Sequence, residues 1–584
     1  MTGRDVSMRF WSIWLVGVAL LLGGGAADSE AQEARNESEE TKALRAEMAA
    51  MRKELQAQID LLKTQLAMSR GAQPVAPVVP VLAANVAPAV APPTVAPAAA
   101  PVAVAESSSS AAVTPVPVKP AEAVVAAVRP PAAADGPSSF RFKGISLTPG
   151  GFLSLDTIYR SKAMASEVNT IFSQLPYAGS GMAHVSEWYG SGRQSRFSLL
   201  AEGKTGFGKL TGYFETDFVA AGATSNNNQS NSYVLRQRQL WGQAAFNSGW
   251  TFTAGQMWTL ATEHRRGTEP RAESLPTVLD AAQHIGYTWG RLGSVRVTKK
   301  FGESVQGAFS LEQSQALFSA TNAPSNFFLG APGNALGAYN PGFNYTENPA
   351  PDVLAKVSYD PAKGGVWRGH YELGVMGRLF RDRYYPAGSA TPQNDTKAGG
   401  SFFVSGRVPV GQRFEIGAKV LAGRGVGRYG AATLPDVTVH PDGTLAPLRG
   451  AQAFFRAEFK ATKKLDLFTY DGLEYTQRLY YRDSNGTLVG YAPPSMVNTG
   501  CAVEAAPTGN TGFVPGTPAN CVGATRMLTA RSVGYVYRFY DGPAGRFQFS
   551  TVYSYLTRDG WAGVGGAPRA TNHFVYTGVR YFLP

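Results

Sequence analysis

The chain has 584 residues, with 54 Lys and Arg against 42 Asp and Glu, and two cysteines. So few cysteines exclude a thiolate metal cluster or a disulfide-framed small domain. The charge is unevenly spread: residues 138–584 hold 43 basic against 29 acidic side chains, whereas residues 1–137 hold 11 against 13. Because the arginines are interleaved through the chain rather than gathered in a tail, anionic solutes are favoured as partners over nucleic acid.

In chain order, an export signal comes first. Arg4 and Arg9 precede the apolar run 10–22, and small residues then offer cleavage after Ala27 or Ala31. No later segment has the ~18 uninterrupted apolar residues of a membrane helix. A membrane protein without such a helix must close its sheet, since lipid cannot satisfy an open edge. Residues 32–70 predict a short coiled coil: Leu44, Met48, Met51, Leu55 and Leu62 follow a three-four spacing, with polar layers at Gln58 and Gln65. Ile59 and Leu66 shift the stripe by one place, a stutter. Residues 71–137 are mostly Ala, Pro and Val with fourteen prolines, which predicts an extended periplasmic spacer.

From residue 138 to 584 one rhythm repeats. Alternating stretches are joined by short connections near 203–208, 247–249, 299–304, 360–365, 408–413, 461–464 and 541–545. Long ones fall near 161–193, 221–232, 259–283, 314–350, 380–397, 425–449, 480–525 and 559–570. The expected fold is all-β, a sixteen-stranded antiparallel transmembrane β-barrel preceded by the α-helical coiled coil. Spanning strands need only ~9–11 residues, and short turns at one end with long loops at the other are the pattern of outer-membrane barrels.

Period-two alternation assigns the faces. Leu210, Gly212, Phe214 and Phe218 point to lipid while Tyr213, Glu215 and Asp217 point inward; Phe547, Phe549, Tyr553 and Tyr555 likewise alternate with Gln548, Ser550, Ser554 and Arg558. Residues 466–474 have no clean parity, and Arg291 falls on the lipid face unless a bulge intervenes. Trp241, Trp250, Trp258, Trp289, Tyr535, Tyr537 and Tyr581 are expected in interfacial girdles.

Inward parity collects Arg196, Arg236, Arg238, Arg296, Arg368, Arg456 and Arg538 as an anion path. Guanidinium stays charged and meets carboxylate or phosphate as a fork, so a row of arginines gives successive weak anion sites. Inward acids also occur, at Asp156, Glu202, Glu215, Asp217, Glu312, Glu372, Glu415 and Glu458, and the competing reading is that arginines and acids pair to brace the wall. Cys501 and Cys521 share one long loop of an exported chain, which predicts a disulfide. The six histidines lack metal-ligand spacing and no nucleophile elbow or phosphate loop stands out, so no metal, cofactor or enzymatic activity is expected.

The third long loop carries Glu263, His264, Arg265, Arg266 and Arg271, with Pro270 and Pro276 favouring a folded path. Here the chain resembles sixteen-stranded trimeric porins, in which the loop at this place folds inward as the constriction. Gln194-Ser195-Arg196-Phe197, the segment 208–218, residues 234–241 and Gly255-Gln256-Met257-Trp258-Thr259 resemble, more narrowly, the DcaP-like porin family. That resemblance implies a homotrimer in outer-membrane lipid that admits small anionic solutes such as dicarboxylates. The expected function is passive diffusion with anion preference, dicarboxylate-like or phosphate-like. The alternative is a structural anchor joining the outer membrane to the cell wall through the coiled coil and spacer.

Overall fold

The computed structural model describes Lys53 and residues 139–219, 234–329, 348–361, 368–506 and 518–584. The export signal, the coiled coil apart from a helical Lys53, the spacer and residues 220–233 of the second long loop lie outside these residues.

Sixteen antiparallel strands build the wall: β1 (Ile145–Arg160), β2 (Arg196–Thr205), β3 (Gly208–Asp217), β4 (Arg236–Phe246), β5 (Trp250–Trp258), β6 (Arg291–Phe301), β7 (Val305–Glu312) and β8 (Asp352–Tyr359). They continue as β9 (His370–Tyr384), β10 (Gln393–Val410), β11 (Phe414–Arg424), β12 (Arg449–Lys460), β13 (Leu465–Thr476), β14 (Thr525–Gly542), β15 (Gly545–Gly560) and β16 (Arg569–Phe582). Each pairs with its sequence neighbour, and β1 meets β16 from Phe152↔Phe582 to Arg160↔Phe574, which closes the ring. Across that seam Arg580 lies 3.0 Å from Asp156, and the hydroxyls of Thr157 and Thr577 are 2.6 Å apart. Seven connections lie at one end, six of them turns of two to four residues, and eight connections lie at the other.

β1 changes partners partway along. Its first half, Ser146 to Phe152, pairs with β2, and its last five residues pair instead with an extra strand, Glu187–Ser191. Gly151 permits the switch: its φ is +135°, and a Cβ there would stand 2.1 Å from the Arg196 carbonyl oxygen.

The polarity of a water-soluble fold is inverted. Leu373, Val375, Val357, Phe402 and Val533 are more than half exposed on the outside, while Arg296, Arg378, Arg456, Lys356 and Lys419 are among the largest fully buried side chains. An apolar exterior band over a charged interior is what a lipid-facing barrel requires. Loops at the far end add their own packing; the first and seventh are tied where Gly179 N–H donates to the Cys501 carbonyl, beside the Cys501–Cys521 disulfide.

Three sequence expectations need correction. Trp241 is buried inside against Tyr213, and Trp258 packs on Trp289, so these are not girdle residues; Trp250 and Tyr537 do stand exposed. Arg291 needs no bulge, since the β5–β6 register is regular and its guanidinium is sandwiched by Trp258 and Trp289, 5.1 and 5.3 Å away. The missing parity of residues 466–474 has a cause: Asp471 points outward and pairs with Arg531 on β14 at 3.2 Å, both side chains more than half exposed.

An outward ion pair amid apolar side chains leads to a testable imbalance. Asp471→Leu leaves Arg531 alone on the lipid face, where an unpaired arginine costs ~2–4 kcal/mol near mid-membrane. The double variant Asp471→Leu/Arg531→Leu should be at least as stable as wild type. Unfolding midpoints in lipid vesicles check this, and equal losses in the single and double variants would show that the pair carries no such penalty.

Candidate functional site: the third loop within the barrel

The third long loop, residues 259–290, leaves β5 and folds inward before β6 begins. Its first arm is a small hairpin: His264 bridges Glu273, Arg265 N–H donates to Ala272 O at 2.6 Å, and Ser274 N–H donates to Glu263 O at 2.7 Å. Arg271, at φ 70°, helps turn the tip, and the exposed side chains there are Arg265, Arg266 and Arg271.

Charged groups of the wall hold this loop, largely by its backbone. Arg296 on β6 donates to the carbonyls of Thr268 (3.0 Å) and Trp258 (2.6 Å). Lys356 on β8 donates to Thr262 O at 2.8 Å and to Glu372 on β9 at 2.9 Å, and that carboxylate also accepts the His264 backbone N–H at 3.0 Å. Lys419 on β11 donates to Ala261 O. Arg456 on β12 reaches Glu263 at 2.6 Å and the hydroxyl and carbonyl of Ser274 at 2.7 and 2.8 Å. Further along, Gly286 N–H donates to Glu474 on β13 at 2.8 Å, and Tyr576 on β16 donates to Asp280 at 2.5 Å. With anchors from β6 round to β16, the loop crosses the lumen.

The facing wall carries a charged ladder. Arg236 and Arg238 on β4 lie 2.8 and 2.5 Å from Asp217, Arg238 is also 2.6 Å from Glu215, and Arg196 on β2 is 3.7 Å from Glu215. A bulge between Glu215 and Thr216 lets β4 present both Arg236 and Arg238 inward. The loop tip meets this wall where the Arg271 guanidinium lies 4.9 Å from the Tyr213 ring centre.

A cavity of about 720 Å³ lies between the loop and the short-turn end, bounded by residues 274–280 and Gln283 of the loop and by Pro409, Gln412 and Arg413 near the turns. Eight arginines and Lys460 line it, against the four carboxylates Asp280, Glu415, Glu458 and Asp466.

The seven arginines assigned by parity therefore separate. Arg196, Arg456 and Arg538 line the cavity, the last paired with Asp466. Arg236 and Arg238 stand in the neutralised ladder, and Arg296 is consumed by the loop backbone. Arg368 is corrected: the described strand begins at His370, so Arg368 lies exposed ahead of it, outside the inward run. In the loop, Glu263 and His264 are buried anchors, whereas Arg265, Arg266 and Arg271 are exposed. Parity could also have found Arg407, Arg546 and Arg580, which share the cavity. Lys356, Lys419 and Glu372 matter as anchors, and only the loop's path reveals it.

A closed sixteen-stranded wall with a loop folded into its lumen is the architecture of outer-membrane channels. More particularly, the chain has the fold of the outer membrane channel DcaP of Acinetobacter baumannii, matched over 76% of this chain and 100% of that one, at a TM-score of 0.53 and 15% identity. Weaker likeness extends to Pseudomonas putida OprB (TM-score 0.40, 11% identity, 74% of this chain and 94% of that one). The anion-selective porin of Comamonas acidovorans is similarly distant (0.39, 11%, 75% and 100%). No protein-family model matches the chain, and no curated protein sequence matches it.

Two outcomes follow from the anchoring. Arg456→Ala strips Glu263 and Ser274 of their partner and should cost about 3–5 kcal/mol, the usual price of leaving a buried charge alone. Single-channel current should then become larger and noisier as the loop loosens; an unchanged current would show that Arg456 does not hold it. Burial pushes the Glu273 carboxyl from 4.5 up to about 7, against its own backbone hydrogen bond and Arg296. Unfolded, the group ionises above 4.5, whereas folded it keeps its proton to about 7. Stability therefore falls as pH rises through that window and levels off above it. Glu273→Gln should flatten this slope in unfolding midpoints measured from pH 4.5 to 8.

Proposed function

We propose that this chain is an outer-membrane porin through which small hydrophilic solutes diffuse passively, with preference for anions. The observation that carries the reading is the cavity beneath the inward loop, whose basic lining exceeds its carboxylates. Glu263 and the ladder on the facing wall are paired, so what a solute meets is the remainder: Arg265, Arg266 and Arg271 at the loop tip, and Arg546 in the cavity.

Confinement gives these few charges their weight. In a wide mouth, salt screens a charge within ~8 Å, whereas beside a low-dielectric constriction the same charge acts with little screening. Forked guanidinium donors suit carboxylate or phosphate oxygens, and several weak sites in series let an anion enter and leave. Dicarboxylate-like or phosphate-like solutes fit this chemistry. The proposal extends to a homotrimer, with residues 32–70 as a coiled coil and residues 71–137 as a periplasmic spacer. A second role as a cell-wall anchor rests on that spacer's composition.

Reversal potentials under a potassium chloride gradient test the reading. Wild type should prefer chloride. Arg265→Ala/Arg266→Ala should lower the anion-to-cation permeability ratio by roughly fivefold, the worth of ~1 kcal/mol for a charge a few ångströms from the ion. Arg236→Ala/Arg238→Ala should change it less, because Glu215 and Asp217 already balance those arginines. A cation-selective wild type rejects the assignment.

A further inference from the structure

The outer face of β9–β12 ends, at the long-loop side, in arginines. On β11 the outward positions Phe414, Ile416, Ala418, Val420 and Ala422 are followed by Arg424. On β12 the outward run of Phe459, Ala457, Phe455, Ala453 and Ala451 ends in Arg449, and on β9 the run from Tyr371 to Leu379 ends in Arg381 and Arg383. Five alternate positions cover ~27 Å of strand, which tilt brings near the ~25 Å apolar band of such barrels. The four arginines therefore share one level, the upper margin of that band.

Two features distinguish them from scattered interfacial charges. Arg424 and Arg449 are direct cross-strand partners, an arrangement of like charges that is destabilising without a shared counter-ion. Neither pairs with a carboxylate among the described residues, and neither do Arg381 and Arg383, the latter donating to Asn394 at 2.9 Å. Directly beside Arg424 and Arg449 lies an outward groove of about 560 Å³, its floor made by Gly400, Ala422 and Gly450 and one wall by Phe402.

We propose that this face binds an acylated, bisphosphorylated disaccharide lipid of the outer leaflet. One phosphate is held by Arg424 and Arg449, and the other by Arg381 and Arg383. Arg424 is in register with Gly400 and Gly377, so Arg381 on β9 stands two strands away and four residues further along, about 16 Å between backbones that two arginine side chains can narrow. That separation suits phosphates at opposite ends of a disaccharide better than the single phosphate of a glycerolipid. Between the pairs, Asn394 and Thr396 on β10 offer polar groups to sugar hydroxyls, and the groove takes one acyl chain. Guanidinium forks fit phosphate oxygens in this setting. The inference rests on the outer-membrane reading above, which places the long loops at the outer leaflet.

The test is lipid retention by the full-length protein in detergent, measured by native mass spectrometry with lipid A, its monophosphoryl form and phosphatidylglycerol. Wild type should retain lipid A at least about tenfold more tightly than either of the others. Arg424→Gln/Arg449→Gln should abolish that margin, and Ala422→Phe should weaken retention by filling the groove while leaving the arginines in place. Planar-bilayer conductance of the same preparations should be unchanged. Loss of conductance in wild type would overturn the porin reading, whereas conducting protein that holds all three lipids equally would overturn this proposal alone. Retention undiminished in Arg424→Gln/Arg449→Gln or in Ala422→Phe would also overturn it.

Discussion

A strand presents unpaired N–H and C=O groups along both edges, and hydrocarbon offers them nothing. Joining β1 to β16 removes the last free edge, and the rest of the structure depends on that closure. Once the ring is closed, alternate side chains are committed to opposite solvents, with Leu373 and Val375 outside and Glu372 and Lys356 inside. Charges turned inward in a narrow barrel are short of water, and a buried charge without a partner is costly. The loops that fold inward supply the partners.

This solution recurs around the wall. Arg456 ties the third loop, while Arg378 reaches Asp352 at 3.0 Å and Asp436 of the sixth loop at 2.9 Å. Arg160 holds Glu187 and Thr170 of the first loop at 2.7 and 2.9 Å. Arg558 donates to Leu175 O and Gly523 O, joining the first and seventh. Arginine suits the task because its five fixed donors can satisfy several carbonyls at once. The basic surplus thus divides in two: buried arginines organise loops, and the remainder stays exposed.

Strand positions and turns were legible because they depend on local alternation, and six of the seven short connections fall where short turns occur; the one near 360–365 lies partly outside the described residues. Parity also placed Arg196, Arg456 and Arg538 on the inner face. It could not tell an arginine that faces solvent, such as Arg265, from one spent on a loop carbonyl, such as Arg296, because that distinction depends on contacts from distant parts of the chain. Arg368 was misplaced since alternation does not mark where a strand begins. Trp241 and Trp258 misled because the same indole serves an interface or an interior, and the outward Asp471 breaks a pattern that only its cross-strand partner Arg531 explains.

The wall grips the third loop mostly through main-chain atoms: the carbonyls of Trp258, Ala261, Thr262, Thr268 and Ser274, and the amides of Leu260, His264 and Gly286. Every residue type carries the carbonyl, and every type but proline the amide. The loop's course is therefore nearly indifferent to the side chains at its exposed tip, and Arg265 and Arg266 are free to vary without disturbing the scaffold, whereas Arg271 is held by its left-handed backbone. On the proposed porin reading, a handful of codon changes at those two positions alters which solutes pass while the scaffold stays as it is.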